Sequence, residues 1–377
     1  MLNRVLMIAG EASGDLHGSG VARALRARRN EIDLYGIGGD AMQREGVELI
    51  FHCSRLSFMG FLEVFRNLPT VFRVERTLVR LLAERRPDVI VLIDYPGFNL
   101  RFARKARARG IKVLYYISPQ VWAWNRKRVK TIKEVVDRIK VVFPFEVEIY
   151  QAEGMDVEFV GHPIVERIGA SCIRQAFFQR NHLDPSQKLL GLFPGSRRQE
   201  VDRILPVMLQ AAEDLRSGRP LQVAVGVAPN LGADLIRSHV PGDARVTLVE
   251  NATYDLMQYS DAAMVTSGTA TLETGWFGTP MVVVYKTSQT SFILGRLLVD
   301  VPYIGLVNIV AGRKVVPELV QREMTRENLV REVAPLLDDP ARGNAMRREL
   351  AVIKSKLGGP GASDKVALGI IALGETA

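Results

Sequence analysis

The feature that most constrains this chain is an alternation of short, β-branched apolar runs with longer amphipathic stretches. Strands that alternate with helices imply βαβ units and a parallel sheet. In the first part of the chain the apolar runs lie at 5–9, 89–93, 113–117, 139–143 and 158–160. This part therefore predicts one parallel α/β sheet.

The same alternation restarts after a helical segment near 173–180. Its apolar runs lie at 189–193, 221–225, 245–249, 262–265 and 281–284. From Thr325 onward the pattern is helical, and Pro340 and the glycines of 358–361 divide it into three helices. We predict two Rossmann-like domains facing a central cleft, with residues 1–167 and a C-terminal helix at about 361–377 in the first and 168–360 in the second.

Composition limits the cellular setting and the partners. Lys and Arg outnumber Asp and Glu by 50 to 41, and such an excess attracts polyanions. Cys53 and Cys172 stand far apart, so the sequence indicates neither a disulfide framework nor a zinc site. No stretch approaches the roughly 18 apolar residues that cross a bilayer, and the first residues resemble a core strand, not a signal peptide. We predict a cytoplasmic protein that meets a membrane only peripherally.

Carboxylates follow two of the predicted strands. Glu11 and Asp15 lie in the small-residue turn after the first run, and Asp94 ends the run 89–93. Carboxylates would repel phosphate but suit a sugar hydroxyl or a proton transfer, and burial beside apolar walls could raise the proton affinity of Asp94. The alternatives are that Asp15 caps a helix beginning near it and that Asp94 binds loop amides.

Two later strands run into turns suited to phosphate. The first turn holds Gly195, Ser196 and Arg197, followed by Glu200 in the next helix; backbone amides, the helix dipole and arginine together favour a diphosphate. It matches neither a Walker loop nor GxGxxG. The second offers the amides of Gly268, Thr269 and Ala270, with Glu273 one turn further on to accept ribose hydroxyls or, alternatively, to be a surface charge.

Aromatic and basic side chains cluster in two segments of the first domain. Apolar faces with arginines resemble interfacial helices, although core-facing helices give the same pattern. The residues that we assign to an acceptor or membrane surface are Met59, Phe61, Phe65, Arg66, Phe72, Arg73, Trp122, Trp124 and Arg126. The basic cluster after the tryptophans begins one helix and is not a long stripe, which argues against nucleic acid.

An ordered set of motifs resembles the lipid-A-disaccharide synthase family. The motifs run from residue 9 to residue 321 and read AGEASGD, MGFLEV, IDYPGFN, YYISPQVWAW, FPFE, VGHP, LFPGSR, SGTATLE, GTPMVV and NIVAGRKVVPELVQ. The resemblance implies a GT-B fold, with the acceptor on the first domain and the UDP-sugar on the second. It also implies that Asn308, Glu318 and Gln321 contact the donor. Many family members have Asp where this chain has Gly97, so an acid there is not essential here.

The resemblance further implies the reaction. An inverting transfer takes 2,3-diacylglucosamine from UDP-2,3-diacylglucosamine to the 6-hydroxyl of 2,3-diacylglucosamine 1-phosphate, at an anionic inner-membrane surface. Asp94, Asp15 and Glu11 compete for the role of base, and Arg197 suits the leaving diphosphate. The family leaves a homodimer open as a further partner.

We expect no cofactor and no metal, because no DxD-type pair appears and arginine and helix starts could take its place. Two alternatives remain. One is another UDP-sugar enzyme of the same fold, such as a UDP-N-acetylglucosamine 2-epimerase or a lipid-linked N-acetylglucosaminyltransferase. The other is a non-catalytic basic binding module, whose nucleic-acid binding would be sensitive to salt.

Overall fold

The strands of the computed structural model form two separate parallel sheets. The structure describes residues 2–56, 68–124, 127–169, 171–242, 244–298 and 301–375. One unit comprises 1–166 with 357–377, and the other comprises 167–356. The two parallel-sheet domains predicted from the sequence are confirmed.

The first sheet has the order β3-β2-β1-β4-β5-β6-β7, with parallel pairing throughout. Its strands are β1(Arg4–Ala9), β2(Asp33–Gly38), β3(Glu48–His52), β4(Val89–Ile93), β5(Lys112–Tyr116), β6(Arg138–Val141) and β7(Val157–Phe159). Its helices are α1(Ala12–Arg28), α2(Asp40–Arg44), α3(Leu68–Glu84), α4(Pro96–Arg107), α5(Arg128–Val135) and α6(Phe145–Gln151). The central strands β1 and β4 are buried except for Arg4, because helices cover both faces of such a sheet.

The second sheet has the order β10-β9-β8-β11-β12-β13, again parallel. Its strands are β8(Lys188–Phe193), β9(Leu221–Gly226), β10(Val246–Val249), β11(Ala262–Thr266), β12(Met281–Tyr285) and β13(Glu318–Val320). Its helices are α7(Arg174–Arg180), α8(Arg198–Arg216), α9(Ala233–Arg237), α10(Thr253–Tyr259), α11(Thr269–Phe277), α12(Gln289–Leu298), α13(Leu306–Ala311), α14(Arg326–Asp338) and α15(Pro340–Leu357).

The last helix, α16(Ala362–Glu375), belongs to the first unit. Its apolar face is buried there, and its start is held by Glu166, whose carboxylate accepts from the Ser363 amide at 2.8 Å and from the Ser363 hydroxyl at 2.6 Å. Within the described ranges, no helix is long and apolar enough to cross a membrane.

Each sheet has one point where the strand order reverses. In the first sheet it lies between β1 and β4, and in the second between β8 and β11. The connections that leave these neighbouring strands go to opposite faces of the sheet, which opens a crevice at the strands' carboxyl ends, where ligands bind in doubly wound folds. The segments that follow these strands are therefore the first place to look for chemistry.

Candidate functional site

The reversal point of the first sheet brings two acidic segments together. Glu11 follows β1 and is the exposed N-cap residue of α1, and Asp94 follows β4 directly. Asp94 and the next residue, Tyr95, both have a φ of 48°, a left-handed conformation that non-glycine residues rarely adopt. Backbone strain of this kind persists only where the surroundings enforce it, and it concentrates at functional sites.

Hydrogen bonds enforce the conformation of Asp94. Its amide donates to the Tyr116 carbonyl at 3.1 Å. Its carbonyl accepts from the Tyr115 hydroxyl at 2.6 Å and from the Asn99 side-chain amide at 2.6 Å. The backbone of Asp94 is thus fully bonded, which fixes the direction in which its side chain leaves the strand.

The carboxyl group of Asp94 has the proton affinity of a general base. Burial, and next the charge of Glu11, raises its pKa to about 6, while a hydrogen bond with the Tyr95 amide acts in the opposite direction. A carboxyl group with this pKa is ionised at neutral pH and still accepts a proton more readily than an ordinary aspartate.

Asp15 has a different environment, although the sequence could not separate it from Asp94. Its carboxylate is buried and accepts three amides that surround the start of α2: Gly39 at 2.7 Å, Met42 at 2.9 Å and Ala41 at 3.0 Å. The alternative that Asp15 caps its own helix does not hold, because Glu11 is the N-cap residue of α1 and Asp15 instead accepts the first amides of α2. A carboxylate committed to three amides is poorly suited to proton transfer.

Trp122 is a core residue, which corrects its assignment to the acceptor surface. Its indole nitrogen donates to Glu146 at 3.2 Å, and its ring packs edge-on against Phe145 with centroids 5.4 Å apart. Glu146, from the FPFE motif, was missed as a framework residue. It also accepts the amides of Val142 and Phe143, and burial raises its pKa to about 7.

Other aromatic residues of the predicted acceptor surface are exposed. Phe72 is 58% exposed and Trp124 is 39% exposed. An arginine lies over each ring: Arg101 at 5.8 Å from the Phe72 centroid and Arg128 at 4.3 Å from the Trp124 centroid. Arg73 is exposed beside Phe72. The predictions for Met59, Phe61, Phe65, Arg66 and Arg126 fall outside the described residues.

A basic cavity of about 290 Å³ begins two residues after Asp94. Pro96 and Gly97, at the start of α4, form one wall, and a side chain at Gly97 would meet open space. The cations in its lining are Arg101, Arg104, Lys127 and Arg128. Sequence reasoning missed the first two, although their spacing of three along one helix places them on one face.

The reversal point of the second sheet carries glycine turns. Gly195 has a φ of 114°, and a Cβ there would lie 2.4 Å from Glu200 Oε2, so only glycine fits. Glu200 accepts the amides of Ser196 at 3.1 Å and Arg197 at 3.2 Å, and its other oxygen lies 3.2 Å from the Arg197 guanidinium. The predicted anion-binding amides therefore already hold an internal carboxylate. Glu200 orders this turn, and the Arg197 side chain, although paired with Glu200, is 59% exposed and so accessible to a ligand.

The turn after β11 keeps its amides available at a helix start. Gly268, with a φ of 153°, precedes Thr269 and Ala270, which open α11, and first-turn amides have no helical acceptor. Glu273 follows one turn later and accepts from the Tyr254 hydroxyl at 3.0 Å. Burial raises the pKa of Glu273, while Tyr254 and then Arg167 act to lower it. Glu273 is half-buried and bonded to Tyr254, which argues against the alternative of a free surface charge.

Asn308 and Glu318 both form hydrogen bonds inside the protein, and their predicted contact with the donor stays a prediction. Asn308 is fully buried: its Oδ1 accepts the amides of Val315 and Val316, and its Nδ2 donates to Val316 and Glu318. Glu318 also accepts the amides of Ile304 and Gly305, both at 2.9 Å. Glu318 thus holds the segment that enters α13, and Asn308 holds the segment that follows it.

Gln321 combines a framework role with a surface. Its side-chain amide bonds both backbone groups of Thr287, at 2.7 and 3.2 Å, and its backbone has a φ of 53°. It also lines a cavity of about 220 Å³ together with Lys286 and Arg322. The prediction that Gln321 contacts the donor stays a prediction.

Comparison with solved structures supports the fold. The UDP-N-acetylglucosamine 2-epimerase from Neisseria meningitidis bound to UDP-N-acetylglucosamine superposes with a TM-score of 0.67 at 13% identity, covering 98% of this chain and 100% of that chain. The calicheamicin glycosyltransferase gives a TM-score of 0.63 at 16% identity, covering 98% of each chain. At identities this low, the structural match establishes the GT-B fold but says nothing about the substrate.

Comparison with sequences is more specific. The family model described as lipid-A-disaccharide synthetase matches residues 5–360. The lipid-A-disaccharide synthase of Geobacter sulfurreducens is 43% identical over 367 residues, covering 97% of this chain and 96% of the relative. A match of this identity over nearly the whole length of both chains, on a GT-B fold, shows that this chain belongs to the lipid-A-disaccharide synthase family of glycosyltransferases.

Proposed function

We propose that this enzyme transfers 2,3-diacylglucosamine from UDP-2,3-diacylglucosamine to the 6-hydroxyl of 2,3-diacylglucosamine 1-phosphate. The products are a tetraacyl disaccharide 1-phosphate with a β(1→6) linkage, and UDP. The observation that carries the chemical part is Asp94, at the reversal point of the first sheet: its backbone is strained and firmly hydrogen-bonded, and the pKa of its carboxyl group is raised. Family membership carries the choice of substrates.

Asp94 is the base in this proposal. The acceptor hydroxyl gives its proton to the Asp94 carboxylate while the oxygen attacks the anomeric carbon of the donor. The bond from that carbon to the diphosphate breaks, and UDP leaves with the bonding electrons. Attack opposite the leaving group inverts the anomeric centre. The role of Glu11 is electrostatic, since its charge helps to raise the pKa of Asp94.

The second unit binds the UDP group of the donor. The Arg197 side chain is exposed and its backbone is held by Glu200, so its guanidinium can form a forked contact with the diphosphate. The amides that open α11 offer a second anion site, and Glu273 lies one turn beyond for the ribose hydroxyls. These groups stabilise the negative charge that grows on the leaving diphosphate.

We further propose that catalysis needs no metal and takes place at an anionic inner-membrane surface. The charge of the leaving group is met by Arg197 and the α11 start, and the exposed Phe72, Arg73 and Trp124 suit an amphiphile at an interface. EDTA should therefore leave the rate unchanged. Vesicles containing phosphatidylglycerol should bind the protein more tightly than neutral vesicles do.

The direct test supplies both acylated sugars in neutral mixed micelles and follows UDP release and disaccharide by mass spectrometry. The expected result is one disaccharide per UDP, with a β linkage by NMR. A reaction that consumes UDP-N-acetylglucosamine without any acceptor would instead indicate an epimerase. Binding of UDP with no disaccharide from any acylated acceptor would contradict the proposed substrates.

A further inference from the structure

The basic cavity beside Asp94 is the strongest unexplained feature of the first unit. The starts of α4 and α5 meet at this cavity, through Pro96 and Gly97 on one side and Lys127 and Arg128 on the other. Helix starts carry partial positive charge and favour anions. With the four cations of the lining, they produce a concentrated positive potential that an anionic ligand would relieve.

Most of this charge is not neutralised internally. Glu75 lies 2.9 Å from Arg101 and also pairs with Lys105. Within the described ranges, no carboxylate lies within 4.0 Å of the charged groups of Arg104, Lys127 or Arg128, and the buried Nε of Arg101 has no hydrogen-bond partner there. Donors arranged in this way match the oxygens of a phosphate, which arginine binds with a planar fork.

The cavity is also next to the group that we assign as the base. Tyr115 donates to the Asp94 carbonyl, and the pKa of the Tyr115 hydroxyl, raised by burial, is raised further by Asp94 and lowered by Arg128. Tyr95 likewise lies within the electrostatic reach of both Glu11 and Arg101. Since Pro96 and Gly97 of the cavity wall follow Asp94 by two and three residues, a sugar whose phosphate lay in the cavity would have its ring beside Asp94.

Exposed aromatic rings beside the cavity add an apolar component. Phe72 lies under Arg101 and Trp124 lies under Arg128, so two of the cations connect the polar cavity to exposed aromatic surface. A free phosphate ion would make no use of these rings. A phosphorylated sugar that carries acyl chains would use both.

We propose that this cavity binds the phosphate monoester of the acylated sugar acceptor, and that Arg104 and Lys127 determine the preference for a phosphorylated acceptor. The inference rests on the proposed function for the identity of the acceptor. Arg104 and Lys127 bind the phosphate directly, while Arg101 and Arg128 connect it to the aromatic surface. A bilayer phospholipid could offer a similar anion, but it would then occupy the space beside Asp94 that the acceptor needs.

The test compares binding of acylated glucosamine 1-phosphate and its dephosphorylated counterpart in neutral mixed micelles. The wild-type protein should prefer the phosphorylated ligand strongly. Arg104→Ala and Lys127→Ala should each weaken its binding about tenfold, as expected for the loss of a charge-assisted contact that water partly screens. Neither should change binding of the dephosphorylated ligand. Arg104→Lys should recover only part of the loss, because the charge remains and the fork does not.

The matched control removes the same charges outside the cavity. Arg109 lies just beyond α4 and Lys130 lies in α5; both are exposed, and neither lines the cavity. Arg109→Ala with Lys130→Ala should leave the preference for phosphate intact, whereas Arg104→Ala with Lys127→Ala should remove most of it. If the two pairs of substitutions weaken the preference for the phosphorylated ligand equally, net charge alone explains that preference and the proposal is overturned.

Further outcomes separate this proposal from the proposed function and from a membrane site. In transfer assays the Arg104 and Lys127 variants should raise the KM for acceptor and leave kcat and UDP binding unchanged. If these variants lose binding to phosphatidylglycerol vesicles but keep their preference for the phosphorylated sugar, the cavity binds lipid headgroups and the proposal fails. If no disaccharide forms while the phosphate preference persists and depends on Arg104 and Lys127, the cavity assignment stands and the proposed reaction fails.

Discussion

The reversal points of the two sheets have the same topology and opposite chemistry. In the first sheet the segments after β1 and β4 carry Glu11 and Asp94, and burial and like charge make one carboxylate more basic. In the second sheet the segments after β8 and β11 carry glycines with positive φ, an exposed arginine and a helix start. The fold therefore supplies two topologically equivalent places, and the residues in their turns suit one to the proton acceptance and the other to the phosphate binding that we propose.

The largest effect is expected at Asp94. Asp94→Asn keeps the shape and hydrogen bonds of the side chain but removes the base, so the single-turnover rate should fall about a thousandfold, within the usual range for a lost general base. UDP affinity should not change, because Asp94 lies in the first unit and the proposed UDP site lies in the second. A variant that retains a tenth of the wild-type rate would show that the proton leaves by another route.

The second largest effect is expected at Arg197. Arg197→Ala should weaken UDP binding and lower kcat/KM about a hundredfold, as for the loss of a donor aimed at developing charge. The neighbouring Arg198→Ala is the matched control, since that side chain is 76% exposed and lies 3.9 Å from Asp202. Calorimetric titration with UDP distinguishes the two variants. Similar UDP affinities would remove Arg197 from the donor site.

Asp15 should affect folding and not chemistry. Asp15→Asn replaces an acceptor of three amides with one that satisfies them only in part, which should lower the free energy of unfolding by about 2 kcal/mol. The rate per folded molecule should stay within a factor of about two, because the Asp94 segment is untouched. Denaturant titration and an active-site count measure the two quantities. Full stability with lost activity would reverse the roles of Asp15 and Asp94.

Removing the charge of Asp94 should also stabilise the protein, in a pH-dependent way. The pKa of Asp94 is raised to about 6 in the folded state, so with rising pH the unfolded state loses this proton first. The free energy of unfolding therefore falls as pH rises from about 4 to about 6, and the loss stays constant above pH 6. Asp94→Asn should therefore add about 3 kcal/mol at pH 7.5 and nothing near pH 4. Thermal unfolding at both pH values measures it. A gain at pH 4 would point to packing and not to charge.

The smallest effect is expected from Glu11→Gln. Since Glu11 is the second cause of the raised pKa of Asp94, after burial, its removal should move that pKa downward by a fraction of the total shift. Carbon-13 NMR of the Asp94 carboxyl group follows the titration directly. An unchanged titration would mean that burial alone sets the proton affinity.

Much of the fold could be predicted from the sequence because buried parallel strands are long apolar runs. The strands that were missed lie toward the edges of the sheets. β2 contains Gly36 in the middle of its run, where a Cβ would lie 1.9 Å from the Met7 carbonyl oxygen of β1. The close approach of the two backbones requires glycine there, and the glycine interrupts the apolar run by which a buried strand is recognised. β13 has only three residues, too few to show a pattern.

The candidate site was less predictable, because residue type does not reveal what a side chain already bonds to. Asp15, Glu200 and Asn308 all looked like ligand contacts, and in the structure each of them binds backbone amides of the protein. Asp94 differs only in that its backbone, and not its carboxylate, carries most of the framework bonds. The cavity cations were missed because Arg101 and Arg104 meet Lys127 and Arg128 only after folding.

The most direct test of the central claim, that Asp94 accepts the proton, is the pH dependence of the single-turnover rate of wild-type enzyme with saturating donor. The rate should rise with pH through a midpoint near 6, set by the raised pKa of Asp94, and become constant above pH 7. A rate that stays level down to pH 5, or that rises through a midpoint near 4, would contradict the assignment of Asp94 as the base.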